Sequence, residues 1–501
     1  MSLPLIERAN SPHDPSAPLF RITEGPLCLT GFPGAPSLIP QRALEPGEQY
    51  RFHFDMTRCI GCKCCEVACS EQNGNPDGIR WRRVGEIEGG EYPFTQRHYL
   101  SMGCNHCLDA ACLNGCPVEA YTKDALTGLV LHSADACIGC QYCTWNCPYG
   151  VPQYNPERGV VGKCDMCHGR LSEGREPACV NACPESAIEI EIVNMAEWRA
   201  DCTSANAPGL PPAEHTLSTT RVTLPANVLP NLEKADYHRV RPEHPHWPLV
   251  LMTVLTQLSV GAFAFLIGSG ASSPLAAVAA LLVAFLSLGA STAHLGRPAF
   301  AYRALKMWRR SWLSREVLLF SLFAGSATMF AAGKLLGFTV PGAGILTLLF
   351  GIGGVTASAF IYVVPARPAW NLWNTPVNFY LTGLVLGPLF LGALGLNGDP
   401  RLIAAAALSQ LLNQAAKYVR LKGSDEFELQ ASARLLTQDL RRWFQLSLAL
   451  SILGALVLPF FAHPVAALTL ALGGELLARY LFFVSVVPRN MAATFAIREA
   501  A

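Results

Sequence analysis

The chain has 501 residues, enough for two or three domains, and its formal net charge is +1 at pH 7 with a pI of about 7.5. This balance gives no basis for nucleic-acid binding, which requires a basic surface. Charged residues make up only 15% of the chain and mean hydropathy is +0.27, both of which indicate a membrane-embedded portion.

The composition changes along the chain and predicts four segments. Residues 1–50 are rich in proline and glycine without clear periodicity, which predicts an extended N-terminal arm. This arm has neither a basic n-region nor an apolar h-region, so we expect no signal peptide. A cysteine-rich region follows at 51–195, and a proline-punctuated stretch at 196–245 predicts a linker. Long apolar runs recur over 246–501 and predict a membrane domain.

Most of the 19 cysteines lie between Cys59 and Cys183, in four groups that repeat one spacing. The first and third groups read C-x2-C-x2-C-x3-C, the second has gaps of x2, x4 and x3, and the fourth contains an eleven-residue insert. Proline follows the last cysteine in groups two, three and four. The predicted ligands are Cys59, Cys62, Cys65 and Cys69, then Cys104, Cys107, Cys112 and Cys116, then Cys137, Cys140, Cys143 and Cys147, and finally Cys164, Cys167, Cys179 and Cys183.

This spacing is typical of iron–sulfur ferredoxins, in which three close cysteines bind one cluster and the fourth binds a neighbouring cluster. Sixteen thiolates suffice for four [4Fe–4S] clusters, which leaves Cys28, Cys64 and Cys202 as spares. Zinc is the alternative ligand, but zinc sites pair two C-x2-C knuckles and give no reason for the third cysteine, the fourth cysteine or the proline. The spacing therefore favours clusters over zinc.

Four clusters in one small domain indicate an electron path between two distant redox sites. Residues 51–195 contain no G-x-G-x-x-G fingerprint and no flavin or haem attachment motif. We therefore expect one end of the path in the membrane half and the other end on a separate subunit.

Eight apolar segments each approach the roughly 20 residues that a bilayer span requires. With eight spans both ends of the membrane domain lie on one side, and the loops on that side carry most of the arginine and lysine. The positive-inside rule then predicts a multi-pass protein of the inner (cytoplasmic) membrane with its cysteine-rich domain in the cytoplasm. The segments are 247–268, 274–295, 313–335, 340–364, 376–396, 401–419, 443–462 and 464–487.

The membrane half has candidate residues for a quinone site near the cysteine-rich domain. His294 has the pKa range for proton exchange, Arg297 could orient a quinone oxygen, and Glu316 at the start of the third span is costly unless it is used or paired. The alternative is an interfacial histidine and a structural pair of Glu316 with Arg315, and spacing alone does not decide between them. Glu475 and Arg479, at i and i+4, predict a structural salt bridge.

Haem b would require paired axial histidines, and the candidates are His246, His294 and His463. His294 and His463 fall at opposite ends of the bundle; His246 could in principle approach His294, but it lies in a proline-flanked entry segment. We therefore expect no haem.

The motifs resemble a known family at both ends. "CIGCKCCEVAC", "CNHCLDAACLNGCP", "CIGCQYCTWNCPYGVPQYN" and "KCDMCHGR" are similar to the four-cluster electron-transfer subunits of the DMSO reductase family of molybdoenzymes. "STAHLGRP", "LSRE" and "PAWNLWNTP" resemble its eight-span, haem-free membrane anchor. The resemblance implies two normally separate subunits fused in one chain: an α+β ferredoxin-like domain of two bacterial-ferredoxin-type units, followed by an all-α bundle of eight transmembrane helices.

The resemblance also implies residue roles. Groups one and four would pair, as would groups two and three, so that Cys116 joins Cys137, Cys140 and Cys143 at the cluster nearest the membrane, where Cys140 favours four irons. The quinol-site histidine and glutamate of the anchor match His294 and Glu316. The basic bias on the cluster side departs from the outward-facing DMSO enzyme and resembles the cytoplasmic relatives more closely.

We therefore interpret the chain as an electron-transfer and membrane-anchor subunit, not a complete enzyme. Its four [4Fe–4S] clusters would connect a molybdopterin-containing catalytic subunit to the quinone pool of the lipid bilayer. Two alternatives remain: a quinone-linked complex component that translocates protons, and a zinc-bound assembly module. The polar residues that hint at a proton path are Gln410, Asn413, Gln414, Lys417, Glu475 and Arg479.

Overall fold

The computed structural model describes residues 37–235, 240–396, 398–461 and 463–490, together with a strand pair formed by β1 (Ile6–Arg8) and β2 (Phe20–Ile22). Most of the predicted N-terminal arm, including Cys28, lies outside the described residues. The predicted boundary at residue 50 falls inside a strand, because β3 runs over Glu48–Asp55.

The cysteine-rich half is built from small sheets and short helices. One sheet has the order β10–β3–β11, with β10 antiparallel and β11 parallel to β3, and a second has the order β12–β4–β5. Two hairpins, β6–β7 and β8–β9, separate the second, third and fourth cysteine groups. The remaining strands are β4 (Arg83–Gly89), β5 (Gln96–Met102), β6 (Tyr121–Lys123), β7 (Val130–His132), β8 (Gln153–Asn155), β9 (Val160–Gly162), β10 (Ile188–Asn194), β11 (Arg221–Thr223) and β12 (Glu233–Lys234).

The pairing of β3 with β10 brings together the two ends of the cysteine-rich region. Alternate residues of β3, Phe52 and Phe54, are buried in the core and pair with Ile190 and Ile188 of β10. Because β3 leads into the first cysteine group and β10 follows the fourth, this register places those groups side by side.

Short helices present the cysteines. A helix begins within each cysteine group. In the first group this helix contains the last cysteine, Cys69, and in the second group it ends directly before the last cysteine, Cys116. The helices are α1 (Cys64–Asn73), α2 (Ala111–Gly115), α3 (Tyr142–Asn146), α4 (His168–Ser172), α5 (Ala178–Asn181) and α6 (Met195–Ala200).

The segment 196–245, predicted as a linker, also contributes to the cysteine-rich domain. It supplies β11 and β12 to the two sheets, and Thr219 is fully buried against the backbone of Asn105. Hydrogen bonds from polar side chains to distant backbone atoms leave no periodic pattern in the sequence. Composition alone therefore predicted a linker.

The C-terminal half is a bundle of long helices. In the described residues, seven helices are long and apolar enough to cross a membrane, counting α14 together with the π and 3-10 turns that extend it to Phe461. The long helices are α7 (Trp247–Gly268), α8 (Pro274–Thr292), α9 (Trp312–Leu336), α10 (Ala343–Tyr362), α11 (Asn374–Ala393), α12 (Pro400–Lys422), α14 (Arg441–Ser451) and α15 (Pro464–Val484), and α13 is Phe427–Thr437.

The remaining predicted span, 401–419, is a helix but falls short of that apolar criterion. This helix is α12, and polar side chains near its middle, among them Gln410 and Asn413, lower its hydropathy. Both side chains are buried in the bundle. The count of eight spans therefore stays a prediction.

The helices α7 and α11 pack closely against each other. A Cβ on Gly261 would collide with the backbone of Gly383, and one on Gly387 would collide with Gly261. Small residues permit this approach, which is a common basis of helix association in membranes. Trp145 of α3 extends into the same apolar core from the cysteine-rich domain, so the two halves share packing.

Candidate iron–sulfur and quinone sites

The sixteen predicted cysteines gather into four quartets, each made from two cysteine groups. Two quartets line cavities, the first of about 320 Å³ and the other of about 380 Å³ of empty space, part of it open to solvent. The other two quartets are identified by the electrostatic interactions between their own thiols. We name them the outer quartet (Cys59, Cys62, Cys65, Cys183), the second quartet (Cys69, Cys164, Cys167, Cys179), the third quartet (Cys104, Cys107, Cys112, Cys147) and the inner quartet (Cys116, Cys137, Cys140, Cys143).

The chemistry of the quartets fits iron–sulfur clusters. Burial raises the pKa of the Cys147 thiol to about 11 and that of Cys140 to about 12, so both sulfurs would stay protonated at neutral pH without a metal ion. Each quartet offers four sulfur donors from two chain segments, as a cubane cluster requires. The set contains no histidine of the kind that many zinc sites include.

Two buried cations lie among the thiols. Arg82 is 2% exposed and interacts with Cys65 and Cys179, and its Nε and one Nη have no hydrogen-bond partner within the described ranges. The Lys163 ammonium lies 3.7 Å from the Cys104 sulfur and also interacts with Cys164. Buried cations at these positions would neutralise the negative charge of thiolate-bound clusters. Neither residue was predicted from the sequence, although Lys163 directly precedes a ligand in "KCDMC".

Hydrogen bonds to sulfur repeat across the groups. The amide two residues after the first cysteine donates to its sulfur at Cys137 and Cys164, over 3.4 Å in each case. The amide four residues after the last cysteine donates to Cys116 and Cys183, over 3.3 Å in each case. Such N–H donors stabilise the charge of a thiolate and tune a cluster's potential.

The spare cysteines differ in their surroundings. Cys64 is exposed at the start of α1 beside Cys62. Cys202 is buried and packs in an apolar cluster with Trp198 and Ala213. Neither residue belongs to a quartet.

The loop after α8 binds the inner quartet through its backbone. The amide of Arg297 donates to the carbonyl of Ile138 over 3.1 Å, and that of Gly296 donates to Gly139 over 3.4 Å. A Cβ on Gly296 would approach Gly159 and the Tyr154 hydroxyl within 2.7 Å. Only glycine permits this contact between the cluster loop and the membrane domain.

The structure places two of the three predicted quinone residues near each other and the third elsewhere. Glu316 is buried and His294 is half-buried, and each lies beside the aromatic cluster of Trp145 and Tyr362, whereas the Arg297 guanidinium donates to the Ala134 carbonyl over 2.9 Å. Arg315 donates to the carbonyls of Trp308 and Arg309, not to Glu316. The structural Glu–Arg alternative therefore does not hold.

His294 connects the inner quartet to a cluster of aromatic rings. Its imidazole interacts with the Cys140 backbone, and its buried Nε2 has no hydrogen-bond partner among the described residues. Its ring centroid lies 6.2 Å from that of Trp145 and 5.1 Å from that of His246. Burial lowers the pKa of His294 to about 4 and that of His246 to about 3, so both rings are neutral at physiological pH.

Glu316 lies on the other side of these rings. It interacts electrostatically with Tyr142 and Tyr362, and Tyr362 lies 5.8 Å from Trp145 between ring centroids. His463 directly precedes α15, at the opposite end of the bundle. Trp145 and the two tyrosines were missed in the sequence, although "TWNC" places an aromatic residue inside a cluster loop.

Glu475 and Arg479 attract each other electrostatically, but their closest polar partners lie on other helices, so the predicted direct salt bridge is wrong. Glu475 accepts a hydrogen bond from Thr382 over 2.8 Å, and Arg479 donates to Gln257 over 2.9 Å. Helical spacing places two residues on one face, but groups from α11 and α7 are closer to these two side chains. Gln414 and Lys417 line a separate cavity.

Comparisons with known proteins identify both halves. Residues 95–192 match a 4Fe-4S dicluster domain, and residues 242–483 match the DMSO reductase anchor subunit (DmsC). The probable anaerobic dimethyl sulfoxide reductase chain YnfG of Escherichia coli (strain K12) is 39% identical over 197 residues, which are 38% of this chain and 95% of that protein. The chain belongs to the family of DMSO reductase iron–sulfur subunits.

Two further relatives are similar to the same half. An anaerobic dimethyl sulfoxide reductase subunit of Haemophilus influenzae is 38% identical over 34% of this chain and 86% of its own length. The formate dehydrogenase-O iron-sulfur subunit of Escherichia coli (strain K12) is 40% identical over 27% of this chain and 50% of its own length. The chain thus combines a DMSO reductase-type iron–sulfur subunit with the anchor, and it is an electron-transfer subunit of a membrane complex.

Proposed function

We propose that the protein carries four [4Fe–4S] clusters that conduct electrons between a separate molybdopterin-containing catalytic subunit and quinone in the bilayer. The observation that carries the proposal is the series of four cysteine quartets that ends at His294. When bound, the clusters supply one-electron transfer, which allows a two-electron substrate and a quinone to react at separate sites. The sixteen cysteines of the four quartets are the proposed ligands.

The order of the quartets supports a single path. Cys65 of the outer quartet interacts with Cys179 of the second, and Cys164 of the second interacts with Cys104 of the third. Tyr121 interacts with Cys112 of the third quartet and with Cys143 of the inner one. The path therefore runs from the outer quartet to the inner quartet without a branch.

The outer quartet marks the proposed docking face for the catalytic subunit. Cys62 is exposed, and the neighbouring apolar side chains of Ile60 and Val67 are 57% and 60% exposed. An exposed ligand allows electron transfer to a partner, and exposed apolar residues favour a protein interface.

His294 and Glu316 are the proposed quinone residues. Reduction of a quinone takes up two protons, so each carbonyl requires a hydrogen-bonding group. The neutral His294 has a free, buried Nε2 for one carbonyl, and Glu316 with Tyr142 and Tyr362 offers groups that hold a proton for the other. Arg297 holds the loop of His294 against the cluster domain and so positions that residue.

The proposed orientation places the cluster domain in the cytoplasm. The loops on the cluster side contain an excess of basic residues over the opposite loops, as the positive-inside rule requires of a cytoplasmic face. These residues, in the loops and in the helices beside them, are Arg297, Arg303, Lys306, Arg309, Arg310, Arg315, Arg367, Lys417, Arg420, Lys422, Arg434, Arg441 and Arg442.

Purification from native membranes in mild detergent, with mass spectrometry of the partners, tests the proposal. We expect a molybdopterin-binding chain to co-purify, together with about 16 iron atoms and as many acid-labile sulfides per chain. Zinc in place of iron would contradict the proposal and support the assembly-module alternative.

Proton translocation is the second candidate function. A buried polar chain supports it: Asn374 bonds Asn413, and Gln410 bonds Thr382, which bonds Glu475. Beyond Glu475, however, α11 and α12 pack through an apolar cluster that includes Val385, Leu389 and Ile403. Proteoliposomes with a pH-sensitive dye inside test it, since proton translocation requires a pH change coupled to quinone turnover.

A further inference from the structure

A cavity with about 710 Å³ of empty space, part of it open to solvent, lies among α11, α12, α13, α14 and α15. It is near the first turns of α11 and α14 and the last turns of α12 and α15, all at the end of the bundle that faces the cluster domain. Its lining mixes polar and aromatic side chains, including Asn374, Asn378, Tyr418, Phe444 and Phe482.

One fixed positive charge lines this cavity. In the described residues the Lys417 ammonium has no carboxylate partner; it lies 5.1 Å from the centroid of Phe482, and its charged neighbour is Arg479. The groups on the facing helices are thus an aromatic ring and a second cation. An unpaired ammonium at this depth is costly unless an anion neutralises it.

A second polar group also lacks a partner. Asn374 is 2% exposed and lines the cavity, and its amide donates to Asn413, but its Oδ1 accepts no hydrogen bond from the part of the chain that the structure describes. The site therefore offers a cation for an anion and an acceptor for a hydroxyl group. These two groups together favour the binding of a polar, negatively charged ligand.

The depth of the cavity matches the headgroup region of a bilayer. Lys417 lies five residues before the end of α12 at Lys422, about 7.5 Å along the helix axis. Trp443, which is 51% exposed on α14, is an aromatic residue of the kind enriched at the membrane interface. Below this level Leu412 and Leu446 expose apolar surface suited to acyl chains.

We propose that this cavity binds a phospholipid with an anionic headgroup, whose phosphate pairs with Lys417 and whose headgroup hydroxyl donates to Asn374. Basic pockets between transmembrane helices bind such headgroups. A neutral quinone would leave the Lys417 charge uncompensated. The stacked rings of Trp370 and Phe482, 5.2 Å apart, also separate the cavity from Trp145. The site does not depend on the quinone role proposed for His294.

Native mass spectrometry of the detergent-purified complex, equilibrated with equal amounts of phosphatidylglycerol and phosphatidylcholine, tests the proposal. We expect one phosphatidylglycerol per chain to be retained in preference to phosphatidylcholine. Lys417→Gln should reduce this retention at least about fivefold, as loss of one basic contact predicts, whereas Lys417→Arg should preserve it. Lys422→Gln, at the exposed end of the same helix, is the matched control and should behave like the wild type.

Four outcomes would overturn the proposal: equal retention of the two lipids by the wild type, unchanged retention in Lys417→Gln, a bound mass equal to a quinone, or displacement of the lipid by excess inorganic phosphate. The last would show that the site takes a free anion. The wild-type competition decides the headgroup preference by itself, so the result does not depend on the folding of any variant.

Discussion

At the scale of single residues, His294 connects the two halves of the protein chemically. It lies between the backbone of an inner-quartet ligand and the rings of Trp145 and His246. Sequence indicated His294 because a polar residue at the end of an apolar span is conspicuous. It could not indicate Trp145, which approaches only after the cluster domain packs on the bundle, and it named His246 only as a candidate axial ligand of a haem.

Replacing His294 should impair the reaction with quinol and leave electron transfer through the clusters intact. We expect His294→Ala to lower quinol-dependent reduction by roughly 100-fold, the scale of losing one positioned proton-exchange group. Dye-linked electron transfer through the clusters and iron content should be unchanged. His463→Ala, at the far end of the bundle, is the control, and a loss of iron in His294→Ala would show instead a structural role.

The charges among the quartets offer a second test at this scale. Lys163→Met removes a buried cation near Cys104, so we expect the reduction potentials of the second and third clusters to fall by on the order of 100 mV. An EPR-monitored redox titration measures this shift. Arg158→Met, an exposed arginine on the turn between β8 and β9, should leave the potentials unchanged. Unchanged potentials in Lys163→Met would refute the assigned role of the cation.

At the scale of elements, the sequence predicted what local spacing decides and missed what distant contacts decide. The cysteine spacing indicated sixteen ligands because a ligand loop is a local structure. The pairing of groups depends on the register of β3 with β10, which the spacing cannot reveal. In the same way, Glu475 and Arg479 have suitable helical spacing for a salt bridge, yet Thr382 and Gln257 on other helices are their hydrogen-bond partners.

The loop at Gly296 gives a prediction at the element scale. Gly296→Ala introduces a Cβ against Gly159 and Tyr154, so the loop must move away from the inner quartet. We expect electron transfer to quinone to slow by roughly 10- to 100-fold, because a displacement of about 1 Å has effects of this size. Gly289→Ala, in open space on α8, is the matched control. Stopped-flow oxidation of the reduced clusters by a quinone analogue measures the rate.

At the scale of the whole molecule, the question is which side of the membrane each end occupies. The apolar helices establish a membrane-type bundle, but α12 is too polar for its span to be assigned from hydropathy. Its polar side chains are buried among other helices, which is where a spanning helix can carry them.

A topology measurement tests whether α12 is a membrane span. If α12 crosses the membrane, reporters inserted at Gly398 and at Gly423, on either side of this helix, should report opposite compartments. The Gly423 reporter should share the compartment of the cluster domain. Reporters in the same compartment would show that α12 lies within one leaflet and would leave seven spans.

The covalent connection between the two halves also changes how damage to their interface will be observed. Only a short stretch of chain joins β12, which ends at Lys234, to α7, which begins at Trp247. A tether of this length holds two surfaces at an effective concentration in the millimolar range. Weakening the contact at Gly296 would therefore not dissociate the halves, as it would two independent subunits. Pull-down experiments would register an intact protein, and only the rate of electron delivery would reveal the defect.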